Sequence, residues 1–144
     1  MRHLLGLALV VVAFSVSNCH KKAKSVADNP VPSTPVNLRL YPNDPLNYKV
    51  QFVGGWLYLD GGINGIILYR KSDQEFVAIE RTSSQLPSNA GARVKVMSDN
   101  FTLVDTVSAS RWRMFDGTVT KGPAQWSLRL YGTNYDGTTL TIRN

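Results

Sequence analysis

Reactive side chains are scarce in this 144-residue chain: one cysteine, Cys19, two histidines, His3 and His20, and two glutamates, Glu75 and Glu80. Each shortage removes a class of chemistry. A single cysteine cannot close an internal disulfide. Beyond His20 there is no imidazole, which excludes a Ser-His-Asp arrangement and histidine acid–base catalysis. A glycosidase-type pair needs two acids facing each other across a cleft. Here Asp60, Asp116 and Asp136 each stand beside a glycine, the signature of a turn. "GGINGI" is not followed by the helix that a phosphate-binding loop would require. The composition therefore predicts a chain that is not an enzyme.

Long apolar runs are also missing, with one exception. "LLGLALVVVAFSV", Leu4 to Val16, has 13 residues and follows Arg2 and His3. A membrane-spanning helix needs about 20 apolar residues, so the run reads as the core of a secretory signal. Cys19 follows in "VSNC", a placement that resembles a bacterial lipobox, although Asn18 stands where a small residue is usual. Residues 1–18 are expected to be a lipoprotein signal peptide, removed by cleavage before a lipidated Cys19. Acyl chains there would bury methylenes at about 0.8 kcal/mol each, enough for stable anchoring.

The formal charge of +6 is concentrated near that anchor, with Lys21, Lys22 and Lys24 close behind Cys19. From Pro30 onward there are 12 basic and 9 acidic residues, a net of +3. The basic cluster suits anionic headgroups, and nucleic acid is not an expected partner. Five of the seven prolines lie between Pro30 and Pro45. Such a segment cannot form a helix or a central strand. Residues 19–35 are read as a lipid-anchored, extended linker and residues 36–144 as one domain.

Within that domain the pattern is β throughout. "VNLRLY" reads as a first edge strand, and "YKVQFV", "WLYLDGG", "GIILYR", "EFVAIER", "ARVKVM", "FTLVDT", "RWRMFDG", "WSLRLY" and "TLTIRN" as its successors. Strands every 8–12 residues or so with Asp-Gly or Gly-Gly turns predict an antiparallel sandwich or barrel. Trp112 and Met114 point one way and Arg111 and Arg113 the other; Leu128 and Leu130 are expected to share a face.

Three segments, "GGINGIILYR", "FVAIERTS" and "ASRWRMFDGTVTKGPAQWSLRLYGTNYDGTTLTI", together resemble the Rieske-type iron–sulfur fold, as in small bacterial envelope lipoproteins. The resemblance covers Gly61 to Ile142 and rests most on "DGTVTKGPA" and its spacing to "LRLY". It implies an all-β, Rieske-like domain in which two loops each bring one Cys and one His to a [2Fe–2S] cluster. Carried onto this chain, it puts Ser83 and Asp105 at the cysteine positions, and Gln85 and Ser108 at the histidine positions. None of these is a thiolate or an imidazole, so no cluster and no metal is expected. An all-oxygen set with one carboxylate also falls short of a Ca²⁺ site, even with Asp99 added. The two loops are expected to be solvent-exposed and held by their own Ser and Thr hydrogen bonds.

The expected function is that of a membrane-anchored bacterial lipoprotein with a cluster-free Rieske-like domain. It would sit in the cell envelope, on the periplasmic side or at the outer membrane. It would act there as a non-catalytic binding or accessory module for an envelope protein. The alternative implied by the resemblance is an electron-transfer subunit, or a docking partner of a redox complex. Trp126, after "GPAQ", is the best candidate for an exposed contact, and Trp112 is assigned to the core.

Overall fold

The computed structural model describes residues 28–144, so the signal run, Cys19, His20 and the lysines beside them lie outside the described residues. The strands are β1 (Asn37–Leu40), β2 (Trp56–Leu59), β3 (Ile66–Arg70), β4 (Phe76–Glu80), β5 (Lys95–Val96), β6 (Thr102–Val104), β7 (Arg111–Arg113), β8 (Val119–Lys121), β9 (Leu130–Tyr135) and β10 (Leu140–Arg143). They form a six-stranded sheet in the order β1-β10-β9-β4-β3-β2 and a four-stranded sheet in the order β5-β6-β7-β8. The paired strands are antiparallel. Among the described residues no helix is long and apolar enough to cross a membrane.

The run of apolar residues in β3 explains the layering. All five of its residues are buried, because both of its faces are covered. Ile66 and Leu68 join Phe76, Ala78, Tyr131, Leu140 and Ile142 in one core. Leu38 and Leu40 from one edge of the sheet and Leu57 and Leu59 from the other pack on that same core, so the sheet curls around it. Ile67 and Tyr69 face the opposite way, into a second core with Leu103, Trp112, Met114 and Leu128 between the two sheets. Trp112 is fully buried, in agreement with its assignment to the core.

Most of the expected strands form, with three differences. "YKVQFV" is not a strand: Pro45–Val50 is a 3-10 helix. Asp44 caps it, accepting the Leu46 N–H at 2.8 Å, and Pro45 occupies its first turn. The Arg70 guanidinium then draws in the carbonyls of Val50 and Gln51, at 3.2 and 2.9 Å, which a strand would have offered to a neighbour. β8 was not anticipated, because Thr118 to Lys121 carries little apolar content. "WSLRLY" begins its strand only at Leu130; Leu128 is buried and Leu130 exposed, so the two do not share a face. The packed chain also reaches upstream of Val36. Val31 is fully buried, Arg129 binds its carbonyl, and Asn29 donates to the Ser127 carbonyl at 2.9 Å.

Candidate functional site

Three loops meet beyond the ends of β4, β6 and β8: 81–88, 105–110 and 122–126. The first leaves β4 through Glu80, whose carboxylate is fully buried. It accepts the N–H groups of Ile63 (2.9 Å), Asn64 (3.0 Å) and Thr82 (2.9 Å), and the hydroxyls of Thr82 (2.7 Å) and Tyr131 (2.6 Å). Burial raises its pKa, but the Tyr131 hydroxyl, the Ile63 N–H, Thr82 and the Asn64 N–H outweigh that penalty and hold it below the ordinary value. Burial, and then the bond to Glu80, push the Tyr131 phenol the other way, well above its usual range. Gly62 makes this approach possible. Its φ is +63°, and a Cβ there would lie 2.1 Å from the Glu80 Oε2.

The second acid, Asp105, starts the second loop and is also fully buried. Its Oδ2 accepts the Ser83 hydroxyl at 2.8 Å and the Ser108 hydroxyl at 2.7 Å, while Oδ1 accepts the Val107 N–H at 2.8 Å. Ser83 itself accepts the N–H groups of Gln85 and Leu86 at 3.2 and 3.3 Å. Ser108 has a single hydroxyl proton and gives it to Asp105, so the 2.9 Å contact between Ser108 and Ser110 is donated by Ser110. Ser110 in turn accepts the Ala124 N–H at 3.1 Å, tying in the third loop. Ala109 adopts φ +58°, a left-handed conformation unusual for a residue with a Cβ, between the two serines that join the network. Burial raises the Asp105 pKa, but Ser108, Ser83 and the Val107 and Ser108 N–H groups together bring it below the ordinary value. The third loop adds one more fastening. The Trp126 carbonyl accepts both the Ser84 hydroxyl (2.7 Å) and the Trp112 indole N–H (3.0 Å).

The four positions singled out in the sequence are thus not equivalent. Ser83, Asp105 and Ser108 come together on one carboxylate. The Gln85 side chain does not join them and instead lines a shallow depression with Leu86, Pro87, Ser88, Asn89 and Ala90. Asp99 lies at the far end of β6, where it accepts the Phe101 and Thr102 N–H groups, so it adds no ligand. The loops are not the solvent-exposed polar segments expected. Ser83, Ser84, Asp105 and Ser110 are buried, and each residue has a hydrogen-bond partner in another loop. Trp126 is half-buried rather than exposed. Ser84, Ser110 and the Trp126 carbonyl went unnoticed in the sequence, since nothing local marks a serine whose partner is 14 or 42 residues away.

These residues do not fit a [2Fe–2S] cluster. The cluster needs thiolate and imidazole donors, whereas here hydroxyl and carboxylate oxygens take up one another's hydrogen-bonding capacity. Among the described residues no group of three His, Cys, Asp or Glu side chains gathers as a metal site.

No family model matches the chain, and no curated protein matches it. Solved structures do. The plasma membrane Rieske protein PetC3 from the cyanobacterium Synechocystis PCC 6803 aligns over 74% of this chain and 99% of its own, at 19% identity and a TM-score of 0.55. The ferredoxin of carbazole 1,9a-dioxygenase from Nocardioides aromaticivorans IC177 aligns over 77% and 98%, at 18% identity and a TM-score of 0.50. The chain has an all-β, Rieske-like fold.

Proposed function

We propose that this chain is a lipid-anchored protein of the bacterial envelope whose Rieske-like domain works without a cluster, as a non-catalytic binding or accessory module. The observation that carries the reading is the bond between Ser83 and Asp105. The two positions that the resemblance assigns to thiolates donate and accept one proton between them, and Ser108 fills the remaining side of the same carboxylate oxygen. Anchoring is supported by Cys19, alone in the chain and placed just after the Leu4–Val16 run. The shortage of nucleophile–base pairs in the domain supports a role in contact rather than turnover.

The test is elemental and optical. Chain purified after growth in iron-replete medium is expected to be colourless, with iron far below one atom per molecule. Two iron atoms per chain with visible charge-transfer absorption would overturn the cluster-free reading and restore electron transfer. Anchoring is tested by Cys19→Ala, expected to move the protein from membrane to soluble fractions and to abolish the mass added by acylation. Unchanged fractionation and mass would refute it.

A further inference from the structure

The outer face of the four-stranded sheet carries three cations, Lys95, Arg111 and Lys121, that form no ion pair among the described residues. Register places Lys95 opposite Val104, Val104 opposite Arg111, and Arg111 opposite Lys121. Residues directly opposite share a face, so Lys95 and Arg111 lie along one rung, and Lys121 meets Arg111 beside a bulge in the β7–β8 pairing. The other face of this sheet is the core, with Leu103 and Trp112 fully buried, and the basic residues therefore point away from it. Lys95 and Lys121 are exposed and Arg111 half-buried. Three strand spacings of about 4.8 Å span roughly 15 Å.

Arg111 and Lys121 sit opposite each other on neighbouring strands, an arrangement that costs stability when the charges are alike. No ion pair among the described residues relieves it. The ion pairs among the described residues are Lys71–Glu75 and Arg113–Asp116, so Asp116 is committed to Arg113. Asp99, the acid that senses the Arg111 charge, spends its Oδ1 on the Phe101 and Thr102 N–H groups. Three cations outside any ion pair, with Lys121 one strand spacing from Arg111 and Lys95 two spacings away, or about 10 Å, are complementary to a flat array of negative charge.

We infer that the outer face of the β5–β8 sheet docks on an anionic lipid leaflet, with Lys95, Arg111 and Lys121 against the headgroups. This rests on the envelope location proposed above. A bilayer suits the row better than an acidic protein groove because the cations are spread across one sheet face instead of converging. Lys21, Lys22 and Lys24, which follow the proposed anchor Cys19 in the sequence, add charge of the same sign. Docked this way, the domain would present its three-loop end from a fixed orientation relative to the membrane.

Lysine labelling tests this with the full chain. The protein is added to vesicles of phosphatidylcholine alone, or of phosphatidylcholine with one-third phosphatidylglycerol, and the amines are acetylated and mapped by mass spectrometry. Lys95 and Lys121 are expected to label several-fold more slowly on the anionic vesicles and to recover in high salt. Lys49, on the 3-10 helix and outside the row, should label alike on both. Arg111→Glu should abolish the protection, at about five-fold in apparent affinity per charge removed, and Arg111→Lys should keep it. Equal labelling of Lys95 and Lys121 on both vesicle types overturns the proposal. Protection that appears only when envelope proteins are added does so too, and assigns the face to an acidic protein. Acylation at Cys19 is read separately from the intact mass, so a failed anchor and a failed docking face give different results.

Discussion

Glu80 and Asp105 are both fully buried acids that remain ionised because donors surround them, yet they serve different parts of the molecule. Glu80 is set at the end of β4 and gathers three backbone N–H groups, two of them from the turn after Gly62, along with Tyr131 from β9. It fastens the scaffold to itself. Asp105 gathers two serine hydroxyls, and one of them, Ser83, comes from a different loop. It fastens two loops to each other through oxygen atoms alone. The contrast teaches that a buried carboxylate can serve either as an anchor within a scaffold or as a cross-link between loops, provided that donors satisfy its oxygens.

The largest effect should come from the scaffold acid. Glu80→Ala leaves buried backbone N–H groups and the Tyr131 hydroxyl without an acceptor, and is expected to cost about 3–5 kcal/mol. Urea denaturation followed by tryptophan fluorescence would read this as a lower midpoint. A loss below about 1 kcal/mol would erase the distinction between the two acids. Asp105→Ala strands fewer groups, two of them hydroxyls that can turn toward each other or to water, and should cost about 2–3 kcal/mol. Ser83→Ala removes one donor from that carboxylate and should cost about 1–2 kcal/mol. If Asp105→Ala proves as costly as Glu80→Ala, the loop clasp is as much a part of the scaffold as Glu80 is.

Acid sharpens the comparison. Both carboxyls titrate below their ordinary values of 4.5 and 3.8 in the folded protein. A depressed folded pKa contributes stability that is present above the unfolded pKa and is lost as pH falls through the folded one. The protein should hold its stability down to about pH 5 and then lose it progressively below about pH 4.5. Glu80→Gln, although weaker at neutral pH, should show a shallower loss over that range in denaturation midpoints taken pH by pH. Equal slopes in the two proteins would mean that Glu80 does not govern the acid limb. The smallest effect is a gain. Ala109→Gly removes a Cβ from a left-handed residue at φ +58°, and should stabilise the protein by about 1 kcal/mol, visible as a small upward shift in Tm.

Strands and turns were largely legible in the sequence, because a two-residue period and a glycine beside aspartate are local signals. β3 announced itself as an unbroken apolar run, and Asp116 and Asp136 cap their turns as expected, accepting the N–H groups of Thr118 and Thr139. The ligand positions were legible only by resemblance, which named Ser83 and Asp105 without saying that they bond to each other. That bond joins residues 22 apart in the chain. Glu80 was legible in part: the alternation of Phe76 and Ala78 carries it onto the same buried face. What satisfies it there was not legible, because its partners depend on Gly62 and Tyr131, 18 residues before it and 51 after it. "YKVQFV" misled for a related reason: the Arg70 side chain that bends it into a helix lies in another strand.

β3 has a consequence for how the molecule comes apart. Its even residues, Ile66 and Leu68, belong to one core, and its odd residues, Ile67 and Tyr69, belong to the other. A slip of one residue would exchange the two sets, so each core proofreads the register of the other. Neither lobe can open while the other keeps its wall intact. Amide hydrogens of β3 should therefore exchange only through global unfolding, and the two lobes should be lost in a single cooperative transition.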